Sequence, residues 1–184
     1  MRGFFQKALG LVREDVQAAM DRDPAAASPL EVVLTYPGLH AIWGHRLAHA
    51  VWGRGLKFPA RLIQNSTRFF TGVDIHPAAI LGRRLFLDHA EGVVIGETAV
   101  VGEDVLIFHQ VTLGGTSNEP GKRHPTVGDR VVLGAGAKII GPVSIGDDAK
   151  VGANAVVVRD VPKGKVAVGV PARLLEEKRR HKVH

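Results

Sequence analysis

Three short stretches concentrate the residues of this chain that could move a proton or hold a charged ligand: Val73-Asp74-Ile75-His76-Pro77, Asp88-His89-Ala90-Glu91-Gly92, and the pair Arg123-His124. A carboxylate beside an imidazole fixes the tautomer of the ring and raises its basicity, which is what a general base needs. An arginine fork suits a carboxylate ligand, because its planar N–H donors match the two oxygens. Cysteine is absent from the 184 residues, so thiolate nucleophiles, disulfides and Cys-ligated zinc are excluded together. Chemistry here must run on imidazole, carboxylates, hydroxyls, lysine or arginine. His45 and His49 stand four apart, as on one helix face, but no third ligand accompanies them, so no metal site is expected.

What must position these residues is a six-residue beat. Aliphatic residues recur at Ile75, Leu81 and Leu87, at Ile95, Val101, Ile107 and Leu113, and at Val127, Leu133, Ile139, Ile145, Val151 and Val157. Four positions on, the residue is mostly small or β-branched (Ala79, Ala99, Val105, Ala137, Ala149, Ala155), and glycine often follows the aliphatic. A helix repeats near 3.6 residues and a strand near two, so a period of six reads as a short strand plus a corner, three of which close one triangular coil. The beat slips twice. Leu87 to Ile95 is a step of eight, and Leu113 to Val127 is a step of fourteen, read as two hexads plus two. Irregular loops on a rigid scaffold are where function concentrates. The slips hold Asp88-His89 and Arg123-His124, and the coil spacing predicts Asp74 stacked near His89, one rung along.

Residues 1–72 read as an α-helical domain, 73–172 as the coil domain and 173–184 as a charged tail that forms a short helix or frays. The amphipathic stretch KALGLVREDVQAAM ends at Asp21-Arg22-Asp23-Pro24, and Ser28-Pro29-Leu30-Glu31 offers an N-cap, a proline at the first helical position and a glutamate three residues after the cap. Two further helices are expected, from about Leu39 to Trp52 and from about Pro59 to Phe70, the second ended near Gly72. Trp43, Trp52, Phe69 and Phe70 are expected in the core or in subunit contacts rather than as a stacking platform.

The net charge of +6 argues for nucleic acid only until it is divided along the chain. Residues 1–72 carry 9 basic and 5 acidic groups, 73–172 carry 10 and 11, and 173–184 carry 5 and 2. A duplex-binding surface needs a clustered basic face, so no nucleic-acid partner is expected. No signal-peptide pattern and no membrane-length apolar run is present, which makes the cytoplasm the expected compartment and no membrane a partner.

VDIHPAA, LDHAEGVVIGETAVVGEDV, VTLGGT, RHPTVGDRVVLGAGAKIIGPVSIGDDAKVGANAVV and GVPAR follow one another here. In that order and spacing the sequence resembles the serine O-acetyltransferases, members of the hexapeptide-repeat acyltransferases, over roughly residues 20–173. The resemblance implies an α+β chain whose helical segment precedes a left-handed parallel β-helix. It implies acetyl transfer from acetyl-CoA to the L-serine hydroxyl, giving O-acetyl-L-serine for cysteine biosynthesis, with acetyl-CoA as cosubstrate and no metal. On the matching positions, His89 would be the general base and Asp74 its partner. Asp88 and Asp23 would face the serine ammonium, and Arg123 and His124 its carboxylate. Gly115, Ala135 and Ala153 would line the pantetheine arm, with Lys150 near the nucleotide phosphates.

By the same resemblance the assembly is a homotrimer, with a dimer of trimers as the larger alternative, and L-cysteine is a feedback inhibitor that occupies the serine pocket. The chain departs from the longer bacterial members in its shorter helical part and in its ending, Lys182-Val183-His184 rather than a terminal isoleucine, which argues against docking into cysteine synthase. A related O-acetyltransferase acting on a sugar or on homoserine is the competing enzyme, and it would not need Arg123, His124 and Asp88 together. A coil scaffold or a zinc enzyme of the carbonic anhydrase type is the competitor from another class; the histidines do not fall on the rungs that such a zinc site requires.

Overall fold

The computed structural model describes residues 2–174. Four helices come first: α1 (Arg2–Arg22), α2 (Pro29–Thr35), α3 (Pro37–Trp52) and α4 (Lys57–Thr71). The start of α2 follows the capping pattern in the sequence. Ser28 Oγ accepts from the Glu31 amide at 3.2 Å, and Glu31 Oε2 accepts in return from the Ala27 amide at 3.2 Å, a reciprocal closure whose serine half contributes about 1 kcal/mol. Gly72 ends α4 at φ 70°, a left-handed cap that glycine adopts without strain. Among the described residues, no helix is long and apolar enough to cross a membrane.

Short strands then follow in threes. The first coil is β1 (Asp74–Ile75), β2 (Ile80–Leu81) and β3 (Phe86–Asp88); the second is β4 (Val94–Ile95), β5 (Val100–Val101) and β6 (Leu106–Phe108). Next come β7 (Thr112–Gly114), β8 (Thr126–Val127) and β9 (Val132–Leu133), then β10 (Lys138–Ile140), β11 (Ser144–Ile145) and β12 (Lys150–Val151). The coil closes with β13 (Val156–Val157), β14 (Val166–Val168) and β15 (Arg173–Leu174). Up to β13 each face of the prism takes every third strand, β1-β4-β7-β10-β13 on one, β2-β5-β8-β11 on the second and β3-β6-β9-β12 on the third, to which β14 and β15 are added because the last rung of the second face is only the Ile145–Val161 bridge. All pairs are parallel except β14 with β15. The beat residues stack rung upon rung, Ile75 on Ile95 on Leu113 on Ile139 on Val157, and all are buried. Each such aliphatic contributes roughly 1.5–3 kcal/mol by leaving water.

The register corrects two expectations. The step from Leu113 to Val127 is not two hexads plus two, because β7 and β8 occupy consecutive faces; it is one hexad with a loop over residues 115–125 pushed out of the prism. Asp74 does not stack on His89. Its rung partner is Val94, while His89, next after the Asp88–Phe108 pair, meets the ring of His109 at 5.7 Å. The two extra residues at the first slip belong to the corner 89–93, and that corner separates His89 from the strand that follows.

Helix α3 lays Ala41 and Ile42 on the coil core, while α1, α2 and Phe86 form a second cluster around Val16, Ala19, Val32 and Leu39. Trp43 packs against both and donates to the buried Asp15 carboxylate at 3.0 Å, which Arg46 also grips. Phe69 and Phe70 lie outside the core, more than four-fifths exposed. Of the expected tail, Arg173 and Leu174 form β15 rather than a helix, and 175–184 lie outside the described residues.

Candidate active site

The residues predicted for the catalytic and serine-binding roles fall into two groups within one chain. The first gathers where the helices meet the end of β3. Here the His89 ring is largely exposed, and its Nε2 lies 3.9 Å from Asp88 Oδ1. Both His89 and Ala90 have positive φ, 57° and 55°, the only consecutive non-glycine pair in that region among the described residues. Such backbone is costly for residues with a Cβ and collects at functional sites. Asp23, just past α1, accepts from the Tyr36 hydroxyl at 2.6 Å and from the Ala25 amide at 2.8 Å. The Tyr36 bond first, then the Ala25 amide and the neighbouring His89, hold the Asp23 carboxyl below the usual range. The same bond pushes Tyr36 up to about 12, with Asp88 among its acidic neighbours. Two carboxylates and an exposed imidazole thus share one corner, a setting for a bound cation whose neighbouring hydroxyl is to be deprotonated.

The second group lines an open groove of about 370 Å³ between α4 and the β1-β4 face: Asp74, His76, Glu97, Arg123 and His124 are in its walls, with Gln64 and Arg61 from α4. The GET stretch explains how the extruded loop is held. Thr98 Oγ accepts from the Arg123 amide at 3.0 Å and from the His124 amide at 3.1 Å, and Glu97 is paired with the Arg123 guanidinium. Lys122 closes the loop by donating to the carbonyls of Thr98 at 2.7 Å and Pro125 at 3.2 Å.

His124 is buried. Its Nδ1 lies 2.9 Å from the Thr98 hydroxyl and accepts from the Thr98 amide at 3.2 Å. Burial first, then Arg123, push its pKa down. The ring is therefore neutral with its proton on Nε2, a donor available to a ligand carboxylate. Gly96 makes room for this ring, since a Cβ there would collide with the imidazole. Burial, then Arg61, likewise lower His76.

No hydrogen bond or ion pair joins Asp74 to His89 among the described residues. Asp74 is held by Gln64 Nε2 and, at 3.3 Å, by Arg68. Gly115 follows β7 beside the second group, where a Cβ would stand 3.3 Å from His124 Nε2. Ala135 and Ala153 lie instead on the prism edge that begins at His89. Backbone bonds climb that edge one coil at a time, from the Gln110 amide to the Glu91 carbonyl (2.8 Å), from Gly136 to His109 (2.9 Å) and from Asn154 to Ala135 (2.8 Å). Lys150 opens β12 on the six-stranded face, with its side chain exposed. Sequence reasoning missed Tyr36, Gln64, Glu97, Thr98 and His109; of these only His109, twenty residues after His89, carried a signal in the coil spacing.

Two family patterns match: "Serine acetyltransferase, N-terminal" over residues 6–43 and "Bacterial transferase hexapeptide (six repeats)" over residues 124–159. The serine acetyltransferase of Mycobacterium tuberculosis is 60% identical over 167 residues, covering 91% of this chain and 73% of that protein. Among solved structures, the serine acetyltransferase of Brucella abortus in complex with coenzyme A superposes with a TM-score of 0.90 at 46% identity, over 94% of this chain and 69% of that one. A serine acetyltransferase in complex with cysteine superposes at 0.91 and 44% identity, over 93% and 71%. With the helices and the hexapeptide coil matched together at this identity, the chain belongs to the serine acetyltransferase family.

Proposed function

We propose that the protein transfers the acetyl group of acetyl-CoA to the hydroxyl of L-serine, yielding O-acetyl-L-serine and CoA, as the first step of cysteine biosynthesis. The observation that carries this reading is the pairing of two ionic half-sites with opposite preferences. Asp23 and Asp88 beside His89 suit an ammonium and its neighbouring hydroxyl, while Arg123 and neutral His124 suit a carboxylate. An α-amino acid bearing a side-chain hydroxyl presents these three groups.

In this reading the His89 imidazole removes the hydroxyl proton as the serine oxygen attacks the thioester carbonyl. The tetrahedral intermediate collapses with rupture of the carbon–sulfur bond, and the proton on His89 passes to the departing CoA thiolate. General-base catalysis of this kind is worth roughly 10²- to 10⁴-fold, and holding both reactants in place supplies much of the remainder. No acyl-enzyme is required, in keeping with a chain without cysteine.

The half-sites do not meet within one chain, and this supports a homotrimer in which the His89 edge of one subunit faces the Asp74–Arg123–His124 groove of the next; a dimer of trimers is compatible with it. Asp74 of the neighbouring subunit would then orient His89. The pantetheine arm would run up the edge past Ala135 and Ala153, with Gly115 of the neighbour opposite and Lys150 toward the phosphates. A Brucella abortus relative binds coenzyme A and another relative binds cysteine, which supports acetyl-CoA as cosubstrate and L-cysteine as an inhibitor in the serine pocket.

The test is release of free CoA from acetyl-CoA, read with a thiol reagent, with L-serine, L-homoserine or a simple sugar as acceptor. Release dependent on L-serine is expected. Release with only another acceptor would overturn the pocket assignment.

A further inference from the structure

Beside the strand that carries Asp74, two buried side-chain atoms have no hydrogen-bond partner among the described residues: His45 Nδ1 on α3 and Gln64 Oε1 on α4. Both residues line one small cavity of about 10 Å³, closed by Ala41, Thr67, Val73 and Ile75. His45 and Gln64 are only 4% and 6% exposed. A buried polar atom left unpaired costs about 1–3 kcal/mol, so two on side chains that line one cavity call for a shared partner.

Their chemistry specifies that partner. Gln64 directs its Nε2 at the Asp74 carboxylate, and reversing the amide would set oxygen against oxygen, so Oε1 is the atom turned inward. The Ala79 backbone favours a protonated nitrogen on His45, yet burial first, with His49 and Arg46 adding to it, drives the ring to a pKa of about 3. In the neutral tautomer that carries its proton on Nε2, Nδ1 is a bare lone pair. The cavity therefore presents two acceptors, which cannot satisfy each other. It requires a molecule with two donors, small enough for a space that matches the roughly 10–15 Å³ one water needs.

We propose that one buried water donates to both His45 Nδ1 and Gln64 Oε1, and that Gln64, its amide fixed in this way, is a positioning residue for the Asp74 carboxylate. The chain His45–water–Gln64–Asp74 ties the packing of α3 and α4 to the orientation of a carboxylate at the groove. Its catalytic consequence rests on the reading of Asp74 as the partner of His89, whereas the water does not.

Two measurements test it. In a crystal structure of the native protein resolved well enough to show ordered water, a density peak within hydrogen-bonding distance of both atoms is expected; a map that shows other buried waters but none here would overturn the water. Gln64→Met keeps the side-chain length and removes the amide. It should lower kcat about tenfold or more, as misplacement of a reacting group does, with the KM for serine unchanged. In an Asp74→Ala background the same substitution should lower kcat no further, because the two residues act as one unit. An equal loss in both backgrounds would overturn the positioning role and make Gln64 structural. Wild-type kcat in Asp74→Ala alone would overturn the Asp74 reading and the positioning role with it, while the density would still decide the water.

Discussion

The Tyr36 hydroxyl donates to Asp23 Oδ2 at 2.6 Å, joining the start of α3 to the turn that follows α1. This bond is the largest of the influences that keep the Asp23 carboxyl ionised below its usual range. Tyr36→Phe removes it without changing shape. With the bond gone, the Asp23 pKa rises toward that of an ordinary carboxylate, so the carboxylate is lost at a higher pH than in the native protein. The KM for serine should rise roughly three- to tenfold, as one lost hydrogen bond implies, and the acid limb of kcat/KM should move to higher pH. Serine KM and pH profiles of the two proteins check this; if both coincide, Asp23 does not hold the ammonium.

Gly96 and His124 give a steric test of the carboxylate half. A Cβ at Gly96 would meet the His124 imidazole, while the Thr98 contacts hold the other side of the ring. Gly96→Ala must therefore turn His124 away from the groove. The expected outcome is a serine KM raised about tenfold or more, in line with a displaced charge-assisted hydrogen bond, together with a stability loss of about 1–3 kcal/mol from the crowding and the lost Thr98 contact. Arg123→Ala should raise the same KM. A serine KM unaffected by either change would move the carboxylate site elsewhere.

Much of this architecture could be read from the hexad beat alone, because inward aliphatics and corner glycines repeat by local sequence rule. The capping of α2 and the glycine stop of α4 were legible for the same reason. Where the coil absorbs an insertion was not. The beat locates the slip between Leu87 and Ile95, but it is silent on whether the extra residues lengthen a strand or a corner, and that choice separates Asp74 from His89. Tyr36, Thr98 and Gln64 left no trace in the pattern, since each acts through a side-chain contact to a residue 10 to 26 positions away. Such contacts depend on which faces the register brings together rather than on any motif.

His45 makes stability depend on pH in a defined window. Burial is the main cause of its depressed pKa, about 3, with His49, Arg46 and His76 adding to it against the Ala79 backbone. Between an ordinary histidine value near 6.5 and about 3, the unfolded chain binds a proton at this position and the folded chain does not. Stability therefore holds above that window and declines as pH falls through it. His45→Gln removes the titration, so its urea midpoint should vary less between pH 6.5 and pH 4, roughly the upper part of that window, than that of the native protein. Parallel pH dependence in the two proteins would mean that His45 titrates as an exposed histidine.

The separation of the half-sites is tested by mixing chains. His89→Ala alone should lower turnover by about 10²-fold or more, since it removes the base, and Asp74→Ala should also be impaired. If each site takes His89 from one subunit and Asp74 from the next, any trimer containing both kinds of chain has one interface at which the intact His89 meets the intact Asp74. In a cyclic trimer assembled at random from equal amounts, about three quarters of the molecules are mixed and each carries one intact site of three, which gives about a quarter of native activity. Coexpression with two different affinity tags, followed by purification through both, isolates those mixed molecules. Activity well above that of either parent places the site between subunits. Activity no greater than that of the parents would mean that both residues must come from one chain, and the corner 89–93 would then have to rearrange to bring them together.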